Sequence, residues 1–288
     1  MKISGSHWLK LAKNLLAPVF SPCLFCGKAH MPSTKMPGLC TMCEAALPWI
    51  GIPRCRKCGR PVGCPDCSRS HEHGLLRYNR SAVSYSADMR EVLGRYKYRG
   101  NERLGHVLGQ MLDQAYAALQ EVSIRNGDST PGPPFARPIL PFFPRPRAAL
   151  WQADVLVPVP VSSTRLAERG FNQAEQLAAV LAGRRRIPLL PLLVRTQHTA
   201  KQSFKSRAER FADMKHAFAA STDPVLQGHF AALLQTSRDY GRPLRVVIVD
   251  DIYTTGSTLR ACAGALVRQP GATLKDEVEI CSITWARS

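Results

Sequence analysis

The chain has 288 residues, 45% of them hydrophobic, which suffices for one good-sized core plus a smaller module. Its formal net charge of +18 creates a surface that attracts polyanions: nucleic acid, phosphorylated metabolites or anionic membrane. No run is long enough to span a bilayer, which excludes a transmembrane helix.

Lys10, Lys13 and Asn14 interrupt the apolar stretch Leu9 to Phe20, and no small-residue cleavage pattern precedes Cys23. A signal peptide is therefore rejected, and an amphipathic helix packing on the next module is expected. Residues 1–75 hold eight of the ten cysteines, several prolines and glycines, and little periodicity. This segment reads as a loop-rich module that apolar burial alone does not stabilise. Its cysteines form four pairs: Cys23/Cys26, Cys40/Cys43, Cys55/Cys58 and Cys64/Cys67. Two intervening residues let both thiolates face one ion, so the pairs supply two closed tetrahedral zinc sites of four cysteines each. Sequential pairing gives Cys23, Cys26, Cys40 and Cys43 in one site and Cys55, Cys58, Cys64 and Cys67 in the other. Interleaved pairing fits the spacing too, and His30, His71 and His73 are spare ligands. Four regular pairs in an unsecreted chain favour zinc over disulfides and point to the cytoplasm. Closed sites leave no position for a substrate, so both are expected to be structural. Cys262 and Cys281 read as small core residues.

Residues 76–288 are expected to form the second domain. Ala82, Val83 and Tyr85 suggest a strand. Met89, Val92, Leu93 and Tyr96, then Leu104, Val107, Leu108, Met111 and Leu112, recur at helical spacing. A proline-rich insertion at about residues 122–150 interrupts the pattern and reads as a surface loop. From Asp154 onward, strand and helix signals alternate. Val155 to Val159, Leu189 to Arg195, Leu244 to Val249 and Val278 to Thr284 read as strands. Asn172 to Leu181, Arg207 to Met214 and Thr258 to Val267 read as helices. This alternation predicts an α/β fold with a mainly parallel sheet and helices on both faces.

The segment Val246 to Leu259, VVIVDDIYTTGSTL, is the most informative. An apolar strand ends in Asp250 and Asp251, and a helix starts near Thr258. Free amides at that helix start favour a phosphate, Gly256 allows close approach, and Thr254, Thr255, Ser257 and Thr258 add hydroxyl donors. Two adjacent acids repel phosphate, and an ordinary helix cap does not require them. They call for polyol hydroxyls, a cation, or both, and a sugar phosphate meets both demands. Neither a Walker loop nor the Rossmann glycine pattern is present.

This segment closely resembles the phosphoribosyl-diphosphate motif of type I phosphoribosyltransferases. Val157-Pro-Val-Pro160 with Arg165, Arg169, Gly170, Phe171, Asn172 and Gln173, together with Tyr96-Lys-Tyr-Arg-Gly100 and Gln202 to Arg210, resembles the ComF family. These are phosphoribosyltransferase-like competence proteins with an N-terminal double zinc-ribbon. The resemblance spans most of the chain, excepting the proline-rich insertion and Asp223 to Gly241. It implies a phosphoribosyltransferase domain that binds phosphoribosyl diphosphate with magnesium, Asp250 and Asp251 holding ribose hydroxyls or the metal's waters. It implies a diphosphate loop after Val159, with Arg165 and Arg169 as cations near it. It also implies a hood loop over Lys201 to Arg210, from which Lys201 and Arg207 are candidate diphosphate contacts. Imported single-stranded DNA and competence proteins are the implied partners. One departure stands out: purine-salvage relatives carry an acid where this chain has Thr254, so purine salvage is not expected and the acceptor is unassigned.

Overall fold

A computed structural model of the chain describes residues 21–64, 67, 74–98, 102–125, 151–196, 217–269 and 272–288. The expected N-terminal helix, the proline-rich insertion and the hood loop lie outside these residues, as do His71 and His73. The chain divides into two compact units, Met1–Leu47 and Pro48–Ser288. The first cysteine cluster belongs to the first unit. The second belongs to the unit that holds the sheet, whereas composition alone drew the division at about residue 75.

In the first unit, helix α1 (Thr41–Ala45) starts from Cys40, whose Sγ accepts the N–H of Cys43 at 3.4 Å. Leu39 and Met36 are among the buried apolar residues of this unit. The N–H of Met36 donates to Ser33 Oγ at 2.8 Å, and Ser33 in turn donates to Glu44 at 2.6 Å.

The second unit is built on four parallel strands in the order β1-β8-β5-β2: β1 (Leu76–Ser84), β2 (Val155–Pro158), β5 (Leu244–Tyr253) and β8 (Val278–Arg287). Six consecutive residues of β5, Leu244 to Val249, are buried, as a parallel strand covered on both faces requires. Because successive side chains point to opposite faces, the two cores read as alternate residues. Val155, Val157, Val246, Ile248 and Ile280 face one core, closed by α6 (Pro224–Asp239) and α7 (Ser257–Val267). The other face is covered by α3 (Glu102–Arg125) and α5 (Gln173–Arg185), which also pack on each other. There the indole N–H of Trp285 meets Met111 Sδ at 3.3 Å. Helix α2 (Ala87–Tyr98) follows β1 directly, and a short α4 (Ser163–Arg169) follows β2. Strands β3 (Leu193–Arg195) and β4 (Phe218–Ala220) form a small antiparallel pair, as do β6 (Arg268–Gln269) and β7 (Ala272–Thr273).

The entry of β2 is set by a buried ion pair. Arg242 donates twice to Asp154, at 2.7 and 2.7 Å, and the Arg245 N–H donates to the same carboxylate at 2.8 Å. That pins Val155 opposite Val246 and aligns the carboxyl ends of β2 and β5. Open α/β sheets place their ligands at those ends.

The α/β class and the mainly parallel sheet are as the alternation indicated. Helix α6 falls in a stretch set apart above as an addition. Its start carries a plain signal: Asp223 caps it, accepting from Val225 and Leu226 at 2.8 and 3.3 Å, with Pro224 in the first turn. Helix α4 and strand β4 are too short to show a period.

Candidate functional site

The strand β5 carries Asp250 and Asp251 at its carboxyl end, and Thr254 to Gly256 then turn the chain into α7. Gly256 makes this turn possible. Its φ is 77°, and a Cβ there would lie 2.2 Å from the Tyr253 hydroxyl. With no side chain, Gly256 offers no cap to α7, so an anion can meet the first-turn amides directly. The side chains that fringe this helix start are hydroxyls. Thr254 and Thr255 are exposed, Ser257 and Thr258 half-buried, and the Thr255 and Ser257 oxygens are 3.1 Å apart. Arg260 holds the turn from below, donating to the Thr255 carbonyl at 2.9 Å.

The acids differ in environment. Asp250 accepts the Asp251 N–H at 2.8 Å. Desolvation, then the charge of Asp251, lifts its carboxyl far above the usual carboxylate range, while that N–H, Lys97 and Arg165 pull the other way. Asp251 forms an ion pair with Lys97, from the last turn of α2. One carboxyl thus favours its neutral form and the other is neutralised by a partner. This pair suits contacts to hydroxyls or to bound water better than to an anion.

The loop after β2 lies beside these acids because β2 and β5 pair in parallel, Pro158 opposite Val249. The Val159 N–H donates to the Val249 carbonyl at 2.9 Å, and the Asn172 amide holds the Val159 carbonyl at 3.2 Å. Ser162 starts α4 by accepting from the Arg165 N–H at 3.3 Å. Arg165 is exposed, and its charge reaches Asp250. Arg169 is held away from free rotation: it donates to Gln173 at 2.6 Å and to the Tyr98 hydroxyl at 3.2 Å, over whose ring it also lies. Lys201 and Arg207 fall outside the described residues.

Three cations join this site that residue patterns did not single out. Lys97 belongs to the Tyr96 to Gly100 segment, which carried the family resemblance but no assigned role. Arg195, at the end of β3, senses Asp250 and Arg165 electrostatically, and burial lowers its pKa. Arg287, near the end of β8, donates to the carbonyls of Tyr253 and Thr254 at 3.2 and 2.9 Å. None has a local signature, since each reaches the acids or the loop only through tertiary packing.

The eight paired cysteines form two clusters by sequential pairing, and within each the sulfurs lie within 4.8 Å of one another. Neither cluster includes His30, and all ten cysteines are free of disulfides. In the first, burial raises the Cys23 pKa, but the N–H groups of Cys26, Cys40 and Phe25 outweigh it and bring it down to about 7. Burial and the neighbouring sulfurs push Cys43 and Cys67 up. Four crowded sulfurs of this kind can hold a metal ion, which relieves their mutual repulsion. Cys262 and Cys281 are buried in the sheet domain, away from both clusters.

The second cluster is docked on the sheet. Asn79 of β1 is fully buried; its N–H donates to the Lys57 carbonyl at 2.7 Å, its side-chain amide to the Cys58 carbonyl at 3.2 Å, and its Oδ1 accepts from Ser282 at 2.8 Å. Gly59, at φ 71°, lies so close that a Cβ would meet the Asn79 carbonyl at 2.7 Å.

No protein-family model matches the chain. It is 28% identical over 258 residues to Competence protein ComFC of Bacillus subtilis, covering 87% of this chain and 84% of that protein. It is 27% identical to DNA utilization protein YhgH of Salmonella typhimurium, covering 83% and 95% of the two chains. Competence protein F of Haemophilus influenzae is 23% identical, over 92% of this chain and 96% of its own.

Proposed function

We propose that this chain, which belongs to the ComF family, binds phosphoribosyl diphosphate at the carboxyl end of β5. The observation that carries the reading is the joining of two unlike demands in one turn. A paired set of acids, Asp250 and Asp251, runs straight into an uncapped helix start fringed by Thr254, Thr255, Ser257 and Thr258. The acids suit ribose hydroxyls and the helix start suits the 5-phosphate. The loop at Val159 to Arg165 and the charges of Arg165, Lys97 and Arg195 then face the diphosphate.

The carboxylates of Asp250 and Asp251 are oxygen ligands of the kind that suits magnesium, and such an ion, when bound, would supply charge neutralisation for the leaving diphosphate. Its waters, or the ribose hydroxyls, are the partners for Asp250 and Asp251. The chain's own part is orientation and charge neutralisation, with water exclusion assigned to the hood segment at Lys201 to Arg210. With a nitrogen nucleophile the bound ligand would lose diphosphate from its anomeric carbon. Thr254 leaves no acid to hold a purine, so no acceptor is assigned. Both cysteine clusters are assigned zinc, as structural sites with four sulfurs and no open position. The reduced pairs make the cytoplasm the assigned compartment.

A thermal-shift titration with phosphoribosyl diphosphate and magnesium tests the binding. A ligand specific to the folded state adds about 2.7 kcal/mol at a hundredfold excess over Kd. The melting temperature of the wild type rises and that of Asp250→Ala does not. No rise for either protein, or equal rises, overturns the reading.

A second reading accompanies the first: a role in handling single-stranded DNA during competence. The +18 charge favours it, as do the names of the ComFC and YhgH relatives. It is compatible with ribosyl-diphosphate binding, which would then regulate the DNA role.

A further inference from the structure

Arg287 is 4% exposed, and its Nη1 also donates to the oxygen of Ser288. A buried cation is costly unless hydrogen bonds and nearby charge surround it. Its guanidinium spans two features that the sequence keeps far apart. Nη1 donates to the Tyr253 and Thr254 carbonyls, the two residues that lead into the phosphate turn, while Nη2 donates to Cys58 Sγ at 3.6 Å. The same guanidinium lies over the Tyr253 ring, 4.6 Å from its centroid. The Tyr253 hydroxyl, in turn, packs where a Cβ of Gly256 would be. Arg80 repeats the pattern on the other side. It is also 4% exposed and donates to the carbonyls of Arg56 and Asn79, the first of them within the knuckle of the same cluster.

Four thiolates around a divalent ion carry a net charge of about −2. That charge would balance two buried arginines. Cys58 itself belongs to the same apolar cluster as Tyr253 and Leu259, with Cys55, Cys64 and Cys67 packed against it. We propose that Arg287 is a positioning residue that couples the metal site of Cys55, Cys58, Cys64 and Cys67 to the ribose-phosphate turn, so that an intact metal–thiolate cluster holds Tyr253 and Thr254 in the ligand-binding arrangement. The second half of this statement rests on the ribose-phosphate reading above. The first half, coupling between cluster and turn, does not. Such coupling is reciprocal: a ligand that fixes the turn must also tighten the hold on that metal.

The test compares the full metal-loaded chain with Arg287→Met and Arg287→Lys. Three quantities are followed: hydrogen exchange across residues 253–259 without ligand, the release of each metal to a zinc-selective chelator, and the affinity for phosphoribosyl diphosphate with magnesium. Arg287→Met should speed exchange in the turn, hasten the loss of one of the two metals, and weaken the ligand on the order of tenfold, as expected for one lost charge-assisted hydrogen bond. Arg287→Lys keeps the charge beside the cluster but has one nitrogen where two are needed. It should retain metal as the wild type does and still show the faster turn. In the wild type, the ligand should slow the release of one metal and leave the other unchanged. Wild-type exchange in the turn of both variants overturns the coupling. Faster exchange throughout the sheet of both variants assigns Arg287 a structural role and overturns positioning. If no ligand binds the wild type while the turn and one metal still respond to Arg287→Met, the coupling stands and the ribose-phosphate reading falls.

Discussion

Asp250 sits in an unusual state for an aspartate. Desolvation and the adjacent Asp251 raise its pKa from 3.8 to about 8. A proton held more tightly in the folded state stabilises the fold below the unfolded carboxyl value, and that contribution is lost as pH rises through about 8. Asp250→Asn carries no titrating proton there. Between about pH 4 and about pH 8, the ligand-free wild type should therefore lose stability relative to Asp250→Asn, by at most about 1.4 kcal/mol per pH unit. Urea midpoints of the two proteins at several pH values measure this, and parallel profiles would sink it. The opposing pull of Lys97 supplies a companion test. Lys97→Met removes a positive charge that holds the Asp250 pKa down, so the fall in stability should extend to higher pH. Asp250, which holds its proton near neutral pH in the ligand-free chain, is also placed to lose it when a ligand with magnesium arrives.

The strand-turn-helix unit of β5 and α7 is where local chain chemistry and the candidate site coincide. Gly256→Ala places a Cβ in the left-handed region, which costs about 1–2 kcal/mol, and drives it into the Tyr253 hydroxyl. The variant should unfold at lower denaturant by that amount and lose the thermal shift with phosphoribosyl diphosphate. A variant that keeps the full shift would mean the turn tolerates a different shape from the one a phosphate needs. This unit was readable in the sequence because each of its parts has a local cause: β-branched residues for the strand, a glycine for positive φ, hydroxyls for the helix start. The cysteine clusters were readable for the same reason, since ligand spacing is local, although sequential and interleaved pairing became distinguishable only in space. Other features have no local cause. The order β1-β8-β5-β2 puts the last strand between the first and the third, and only that order brings Lys97 to Asp251 and Arg287 to Tyr253. The placing of the second cluster against β1 rests on Asn79, a residue that reads as an ordinary polar position in its strand. Short pieces such as α4 and β4 are held by tertiary contacts and leave no period to detect.

At the scale of the whole molecule the excess of 18 positive charges is the dominant property. Many cations of the sheet domain are committed internally: Arg242 to Asp154, Arg185 to Asp113, Arg238 to Glu277, Arg77 to Glu279 and Lys97 to Asp251. Among the described residues, Arg54, Arg56 and Lys57 of the second cysteine knuckle form no such ion pair. Arg54, Arg56 and Lys57 are exposed, beside an exposed Ile52 and Trp49. A cationic ridge next to exposed apolar and aromatic groups is the pattern that engages single strands, phosphates on the charges and bases on the rings. Binding of this kind releases counterions, so the logarithm of the affinity falls linearly with that of salt, by about 0.7 for each phosphate contacted on a single strand. Net charge alone would give a similar slope, so the test must separate place from amount. Reversing Arg54, Arg56 and Lys57 to glutamate and reversing the exposed Arg90, Arg103 and Lys275 change the total charge equally. If the knuckle is the contact surface, the first triple variant flattens the salt dependence by about 2 and the second barely alters it. Equal flattening by both would mean that the chain attracts DNA through its overall field, and the knuckle would lose its claim as a specific surface.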